Sequence, residues 1–375
     1  MHLSSTPASG LSGNKNAERE ITKQKNNIID SINYAQNIQQ AILVKEEEIK
    51  KYLPDFFIFF KPRDIVSGDF YWFTKLKSPL EKGDLGLPRS EERAYRGGAG
   101  CVLIAAIDCT GHGVPGAFMS MIGNTLLNEI VNEKHIIEPA EILKHLHTGI
   151  ITSLHQRKDN IEARDGMDVA ICSLTPQLPL LYPERSRRRG RGGALDDKTS
   201  EVLETSEVYT LEYAGAKNPL YIINPNRKEW PEEAIPFDDV NPEGGSFNGS
   251  GTDDTVQKVS TPFRGGGGGG VVVKPDILSI GGRTFNKEKG AGRTFTNHAI
   301  SVEKGTAIYL FSDGYIDQYN KNDKEKFGKK RFQQLLLDIY DLDMQQQKKA
   351  LEKALEDWKG DYKQIDDILV IGIRI

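Results

Sequence analysis

Aspartates recur in this sequence at the ends of its most apolar runs. Asp108 closes the run 101–107, Asp313 closes 307–312, and Asp366 and Asp367 stand immediately before 368–373. Asp69 follows Ser67-Gly68, just ahead of the aromatic run 70–73. Strand ends within a layered domain can meet at one cleft. Carboxylates gathered there without a partner repel: two unit charges about 5 Å apart at an effective dielectric of ~20 cost about 3 kcal/mol. That is a large load for a marginally stable domain, and bound cations reverse its sign. Oxygen-only ligation by aspartates, backbone carbonyls and water suits Mg²⁺ or Mn²⁺, whereas zinc prefers His or Cys. A pair of such ions can share a water of lowered pKa and clamp an in-line phosphoryl displacement. The neighbouring glycines fit this chemistry. Gly111 and Gly113 in Asp108-Cys109-Thr110-Gly111-His112-Gly113, Gly68 before Asp69 and Gly314 after Asp313 allow tight turns and close backbone approach to an ion or phosphate.

The elements that must position these residues follow from periodicity. Residues 56–60, 70–73, 101–107, 168–174, 208–214, 219–223, 306–312 and 368–374 read as strands, rich in β-branched and aromatic residues. Helical patterns cover a segment entered at Pro115 and running to Ile130, then 139–155, 328–340 and 344–358. Strands cluster at both ends of this region with long helices between them. That order predicts an α+β fold, two mainly antiparallel sheets with helices packed outside, rather than a doubly wound parallel sheet. There is neither a glycine-rich phosphate loop after the first strand nor a Gly-x-Ser-x-Gly elbow.

Residues 1–14 are small and polar and read as a disordered tail without signal-peptide order. Residues 15–50 read as one helix, with Ile21, Ile28, Ala35 and Ile42 at seven-residue spacing and Ile32 and Ile38 widening the stripe. Such a stripe either pairs with a partner helix as a short coiled coil or packs on its own domain. Three stretches, 78–99, 176–206 and 225–296, read as flexible insertions in a domain covering 53–375. The second contains a basic run, Arg185 to Arg191, and the third a six-glycine run at 265–270 and two Gly-Arg-Thr-Phe phrases. A solvated insertion is the reading taken for the basic run.

Several segments occur together in a familiar order: Val66-Ser67-Gly68-Asp69-Phe70, Asp108-Cys109-Thr110-Gly111-His112-Gly113, Asp168-Val169-Ala170, Tyr213-Ala214-Gly215-Ala216-Lys217-Asn218-Pro219, Leu310-Phe311-Ser312-Asp313-Gly314 and Asp366-Asp367-Ile368-Leu369. This set resembles the PPM-type metal-dependent protein phosphatases, in their sporulation stage II E branch, from about Leu53 to Ile375. The resemblance implies an αββα sandwich with a metal site in a cleft at one edge of the sheets. It implies two Mn²⁺ or Mg²⁺ ions bridged by Asp108, with the Cys109 carbonyl on one of them and Asp313 and Asp366 completing the pair. Asp69 would act through metal-bound water or an additional, weaker ion. The attacking group would be a metal-activated water on phosphoserine or phosphothreonine, with no covalent intermediate. The substrate would be a phosphorylated regulator of the anti-sigma-factor-antagonist type, and residues 15–50 would receive an upstream sensor or a dimer partner. The family's first motif usually reads Asp-Gly-x-Gly-x-Gly; Cys109 here replaces its first glycine, which leaves the backbone carbonyl available.

Around this set, Asp367 reads as structural and Gly111, Gly113 and Gly314 as support. His112 suits either general-acid help to the leaving serine oxygen or a turn beside the cleft. Lys61 and Arg63 suit either phosphate contact or a solvated loop. His145, His147 and His155 lack the one-face spacing of a helical metal site, and Trp72 and Trp358 read as core anchors. A net charge of −4 gives no reason to expect nucleic acid, and no apolar run approaches the roughly 20 residues of a bilayer span. Three scattered cysteines suit a reducing, cytoplasmic setting. A non-catalytic scaffold with a phosphatase fold is the alternative; a two-metal phosphodiesterase or nuclease is disfavoured by the lack of histidine-rich ligand sets.

Overall fold

In the strands, side chains alternate between two different cores, and that alternation sets the architecture. The computed structural model describes residues 10–76, 101–156, 164–177, 208–227, 229–231, 234–237, 269–282, 293–322 and 324–375. In β1 (Phe56–Lys61), Phe56 and Ile58 face one core while Phe57 and Phe59 face another. In β3 (Val102–Cys109), Ile104 and Ala106 point into the first core and Leu103, Ala105 and Ile107 into a third. Strands such as β1 and β3 are thus covered on both faces, which explains their near-continuous apolar runs.

Two sheets result. β1, β12 (Ile368–Arg374), β11 (Ala307–Phe311), β6 (Leu220–Ile223), β8 (Gly270–Val273) and β7 (Ala234–Pro236) form one, in that order. The other runs β10 (His298–Glu303), β5 (Val208–Ala216), β4 (Gly166–Pro176), β3 and β2 (Phe70–Lys75), with β9 (Ile280–Gly281) paired to β4. All pairings between these strands are antiparallel. The sheets enclose the first core. Helices α3 (Gly113–Asn128) and α4 (Pro139–Ser153) cover the outer face of one sheet through Met119, Leu127, Leu143 and Leu146. Helices α6 (Lys329–Asp338) and α7 (Met344–Lys359) cover the other through Phe332, Leu336, Leu351 and Leu355. This is the expected αββα sandwich, with the helices supplying the apolar stripes that each sheet face requires. Trp72 is buried and donates Nε1–H to Asn128, and partly buried Trp358 donates to the Gln318 carbonyl.

Ahead of the sandwich, α1 (Gly10–Ile42) is followed by a short α2 (Glu46–Ile49). The expected single helix over 15–50 is therefore broken between Ile42 and Glu46, and helix begins at Gly10, inside the tail expected over 1–14; residues 1–9 lie outside the described residues. The apolar stripe also divides. Ile32, Ala35, Gln39 and Ile42 are half-buried or buried toward the domain, whereas Ile21 and Ile28 are 65% and 61% exposed. Ile38, expected on the shared face, stays 41% exposed because it lies one residue from Gln39, which docks.

The insertion expected over 225–296 needs correction, because β7, β8 and β9 all fall within it. Val271, Val272 and Val273 are buried between β6 and β7. Three β-branched residues after a glycine run carry no legible period on their own, so only the pairing reveals the strand. The insertion expected over 78–99 and nearly all of that over 176–206 lie outside the described residues. No helix among the described residues is long and apolar enough to cross a membrane.

Candidate metal centre

Register brings the aspartates together. β2 pairs with β3 so that Phe70 faces Ile107, which sets Asp69 beside Asp108 at one end of that pair. β3 pairs with β4 so that Asp108 lies directly opposite Asp168. In the other sheet Phe311 faces Val370, and the Ser312 amide donates to the Leu369 carbonyl, so Asp313 and the Asp366-Asp367 pair share an edge. A cleft of about 230 Å³ opens there, lined by Asp108, Asp168, Asp313 and Asp366 together with Cys109 to His112, Lys217 and Ser279.

The electrostatics are those of crowded acids. Burial raises the Asp69 carboxyl well above its ordinary range; a hydrogen bond from Ser312 opposes this, and the charges of Asp367, Asp366 and Asp313 add to it. Asp108 is likewise raised, by burial first and then by Asp69, Asp313, Asp168 and Asp366. Asp313 is raised to about 6 by burial, Asp317, Asp366 and Asp168, and a hydrogen bond with Asp108 offsets part of the rise. Crowded, buried carboxylates of this kind favour any bound positive charge, a proton at low pH or a cation above it. Asp366 stands at the rim; partial burial of its carboxyl raises it, the Asp367 amide opposes this, and the Asp367 charge adds to it.

The donor set fits hard divalent cations. It is all oxygen, and the buried Asp69 Oδ2 has no hydrogen-bond partner, a state that costs free energy unless something cationic or a water takes that lone pair. The loop carbonyls add donors nearby: a Cβ on Gly68 would stand 2.4 Å from the Gly111 oxygen and 3.2 Å from the Cys109 oxygen. Among the described residues no three His, Cys, Asp or Glu side chains form a closed metal cage.

The remaining expected residues separate. Asp367 is buried, accepting from the Arg63 amide at 2.7 Å and the Gly68 amide at 2.7 Å; it pins the loop that carries Asp69. His112 Nδ1 sits 2.7 Å from Asp64 Oδ2 at the mouth of the cleft, and Gly111 and Gly113, on either side, have positive φ. Arg63 donates to the Ile365 carbonyl at 2.9 Å, next to Asp366 but not on the cleft wall. Lys61 is not brought to the site; it is ion-paired to Glu356 on α7. Burial and the adjacent charges of Asp108 and Asp69 push the Cys109 thiol up, so it stays protonated. His147 is partly buried, accepts from the Gly281 amide and so anchors β9, which ends beside Ser279 at the cleft.

Asp168 and Lys217 were assigned no role from the sequence, and both line the cleft. Asp168 carries the same signature as the others, an aspartate at the head of an apolar run, and that signal would have found it. Gly314 follows Asp313 in α5 (Gly314–Asp317), where a Cβ would stand 1.9 Å from the Asp367 carbonyl oxygen. Gly314→Ala is therefore expected to push the two aspartate-bearing strand ends apart and cost about 1–3 kcal/mol, read as a fall in the denaturant midpoint at unchanged slope.

Comparisons with known proteins bear on the fold. The family model described as Stage II sporulation protein E matches residues 288–375. The SiaA PP2C domain of Pseudomonas aeruginosa superposes with a TM-score of 0.59 at 22% identity, covering 94% of this chain and 98% of that one. The PP2C phosphatase domain of SpoIIE from Bacillus subtilis, solved with a fragment of its regulatory domain, gives 0.46 at 13% identity, covering 85% and 62%. No curated protein sequence matches significantly. Residues 288–375 thus match the Stage II sporulation protein E family, and the fold that carries them is that of a PP2C-type phosphatase domain.

Proposed function

We propose that this protein is a metal-dependent protein phosphatase acting on phosphoserine or phosphothreonine. The observation that carries the reading is the convergence of Asp108, Asp168, Asp313 and Asp366, from strand ends of both sheets, on one cleft, with Asp69 buried behind it within reach of their charges. The reading assigns Asp108, the Cys109 carbonyl, Asp313 and Asp366 to two Mn²⁺ or Mg²⁺ ions, and Asp69 to metal-bound water or a weaker additional ion. When bound, such ions supply an activated water and neutralise charge on the phosphoryl oxygens. The chain's own residues exclude the common alternatives. The Cys109 thiol is buried and protonated, and the cleft's described lining holds no Ser–His pair poised for attack, since His112 is engaged by Asp64. Asp367 holds the Asp69 loop, and His112, at the mouth of the cleft, is assigned delivery of a proton to the departing serine oxygen. Val114 and Phe118, exposed on α3 two and six residues beyond His112, offer apolar contact to a protein substrate. A phosphorylated regulator of the anti-sigma-factor-antagonist type is the substrate class that the motifs suggest. Hydrolysis of p-nitrophenyl phosphate and a phosphoserine peptide with Mn²⁺, Mg²⁺ or EDTA tests the reading; a folded protein that binds no Mn²⁺ and hydrolyses neither would sink it.

Residues 15–50 are proposed to receive the regulating input, from an upstream sensor or a dimer partner. The support is Gln39. Its amide donates to the Ser67 carbonyl at 2.6 Å and to Ser120 Oγ at 2.8 Å and accepts from the Ser67 amide at 3.1 Å. A helix with an exposed apolar stripe thus grips the residue two positions before Asp69. Gln39→Ala leaves the buried Ser67 groups unpaired, at a cost of about 1–3 kcal/mol. Faster hydrogen exchange over 64–69 and an altered Mn²⁺ requirement are expected. Unchanged exchange, together with unchanged activity and oligomeric state on deleting residues 1–50, would remove the regulatory role.

A further inference from the structure

Lys217 is the only lysine or arginine among the described residues lining the cleft. Its Nζ lies 3.5 Å from Asp168 Oδ2, and Asp168 is the residue directly across the ladder from Asp108. Like charges opposed in an antiparallel pair destabilise it unless a cation intervenes. The lysine is held there by its backbone. Its φ is 62°, a left-handed conformation uncommon for a residue with a side chain. The surroundings over-determine that conformation: the Lys217 amide donates to the Asp276 carbonyl at 2.8 Å, the Asp276 amide donates to the Gly215 carbonyl at 2.9 Å, and the buried Tyr213 hydroxyl donates to the Asn218 carbonyl at 2.6 Å. Strain kept in place by several bonds at a cleft is spent on aiming a side chain.

Charge counting gives that aim a purpose. Asp108, Asp168, Asp313 and Asp366 on the cleft wall, with Asp69 buried behind them, bring at least one more negative charge to the site than a pair of divalent cations neutralises. We propose that Lys217 is a built-in counter-cation that occupies Asp168 and so limits how many divalent ions the cleft takes. The inference rests on the metal-centre reading. A monovalent ammonium on a flexible stem cancels that remaining negative charge, which a third divalent ion would overshoot, and it needs no free metal. Asp168 is then a ligand withheld, and the ion count is set by a residue that is neither a carboxylate nor a carbonyl.

The test is Mn²⁺ binding to the full chain, by calorimetry and by the electron paramagnetic resonance of free Mn²⁺. Lys217→Gly and Lys217→Asn both suit a left-handed backbone and remove the charge; Lys217→Arg keeps it. The expected result is one additional Mn²⁺ per chain in Lys217→Gly and Lys217→Asn, wild-type stoichiometry in Lys217→Arg, and loss of the added ion when Asp168→Asn is combined with Lys217→Gly. Wild-type stoichiometry and affinity in both charge-removing variants would overturn this inference alone, as would an added ion that survives Asp168→Asn. A folded wild type that binds no Mn²⁺ would overturn it together with the metal-centre reading.

Discussion

Asp108→Ala and Asp313→Ala are each expected to lower cation-dependent hydrolysis of a phosphoserine peptide by about a thousandfold, while the metal-free proteins stay folded. The magnitude follows from the position of Asp108. It faces Asp168 across the ladder and is coupled to Asp69, Asp313 and Asp366, so a cation there meets most of the site's charge through this residue. Losing several kcal/mol of transition-state charge stabilisation, at about 1.4 kcal/mol per factor of ten, gives that loss. The second half of the expectation separates it from simple damage. Asp108 and Asp313 are held as acids above their ordinary range, so without metal their charge opposes folding. Asp108→Asn should therefore melt at the same temperature as EDTA-treated wild type or higher, yet gain less from added Mn²⁺. A variant that melts well below wild type in EDTA would show the carboxylate to be structural instead.

The metal-free protein is expected to lose stability as pH rises from about 4 through about 6. For Asp313 the ordinary value is 3.8 and the folded-state value about 6. The folded state therefore binds the proton more tightly than the unfolded chain does, and the slope of unfolding free energy with pH is negative across that window. Its contribution is full below about 4 and gone once pH passes the folded-state value. A shift of about two units corresponds to about 3 kcal/mol in an insulated site; Asp313 is open to solvent on one side, and screening reduces this to about 1–2 kcal/mol. Asp69 and Asp108 act in the same direction. Lowered groups elsewhere, such as Glu356 beside Lys61, act in the opposite sense. The clean measurement is therefore the difference between wild type and Asp313→Asn in EDTA, followed by melting from pH 4 to 8. Saturating Mn²⁺ should flatten the slope, because cations bind the deprotonated form. Parallel curves for wild type and Asp313→Asn would contradict the raised Asp313 carboxyl.

The sandwich was legible in the sequence because its signal is local. A residue such as Ile104 or Leu103 announces which core it enters through alternation with its neighbours, and α4 and α7 announce themselves through apolar spacing and the turn residues Pro139 and Asp343. The convergence of aspartates was legible for the same reason: each marks the end of an apolar run, and runs that long must be strands. What failed was equally physical. Val271 to Val273 look like loop after the glycine run, and only pairing with β6 and β7 makes them a strand. Lys61 suited either phosphate contact or a solvated loop; it ends β1 and pairs with Glu356, 295 positions along the chain.

The residue types and their order, by themselves, determined that this chain folds as two antiparallel sheets between helices and that acids crowd the ends of its strands. Tertiary structure supplied the reason the two adjacent aspartates differ: Asp367 is buried against the amides of Arg63 and Gly68, and Asp366 stays at the rim. It also decided that Lys217 meets Asp168 and that Gln39 grips Ser67. The physical reason is range. Alternation and capping act between residues a few positions apart, whereas the aim of a carboxylate or an ammonium is fixed by register and hydrogen bonds between strands far apart in sequence.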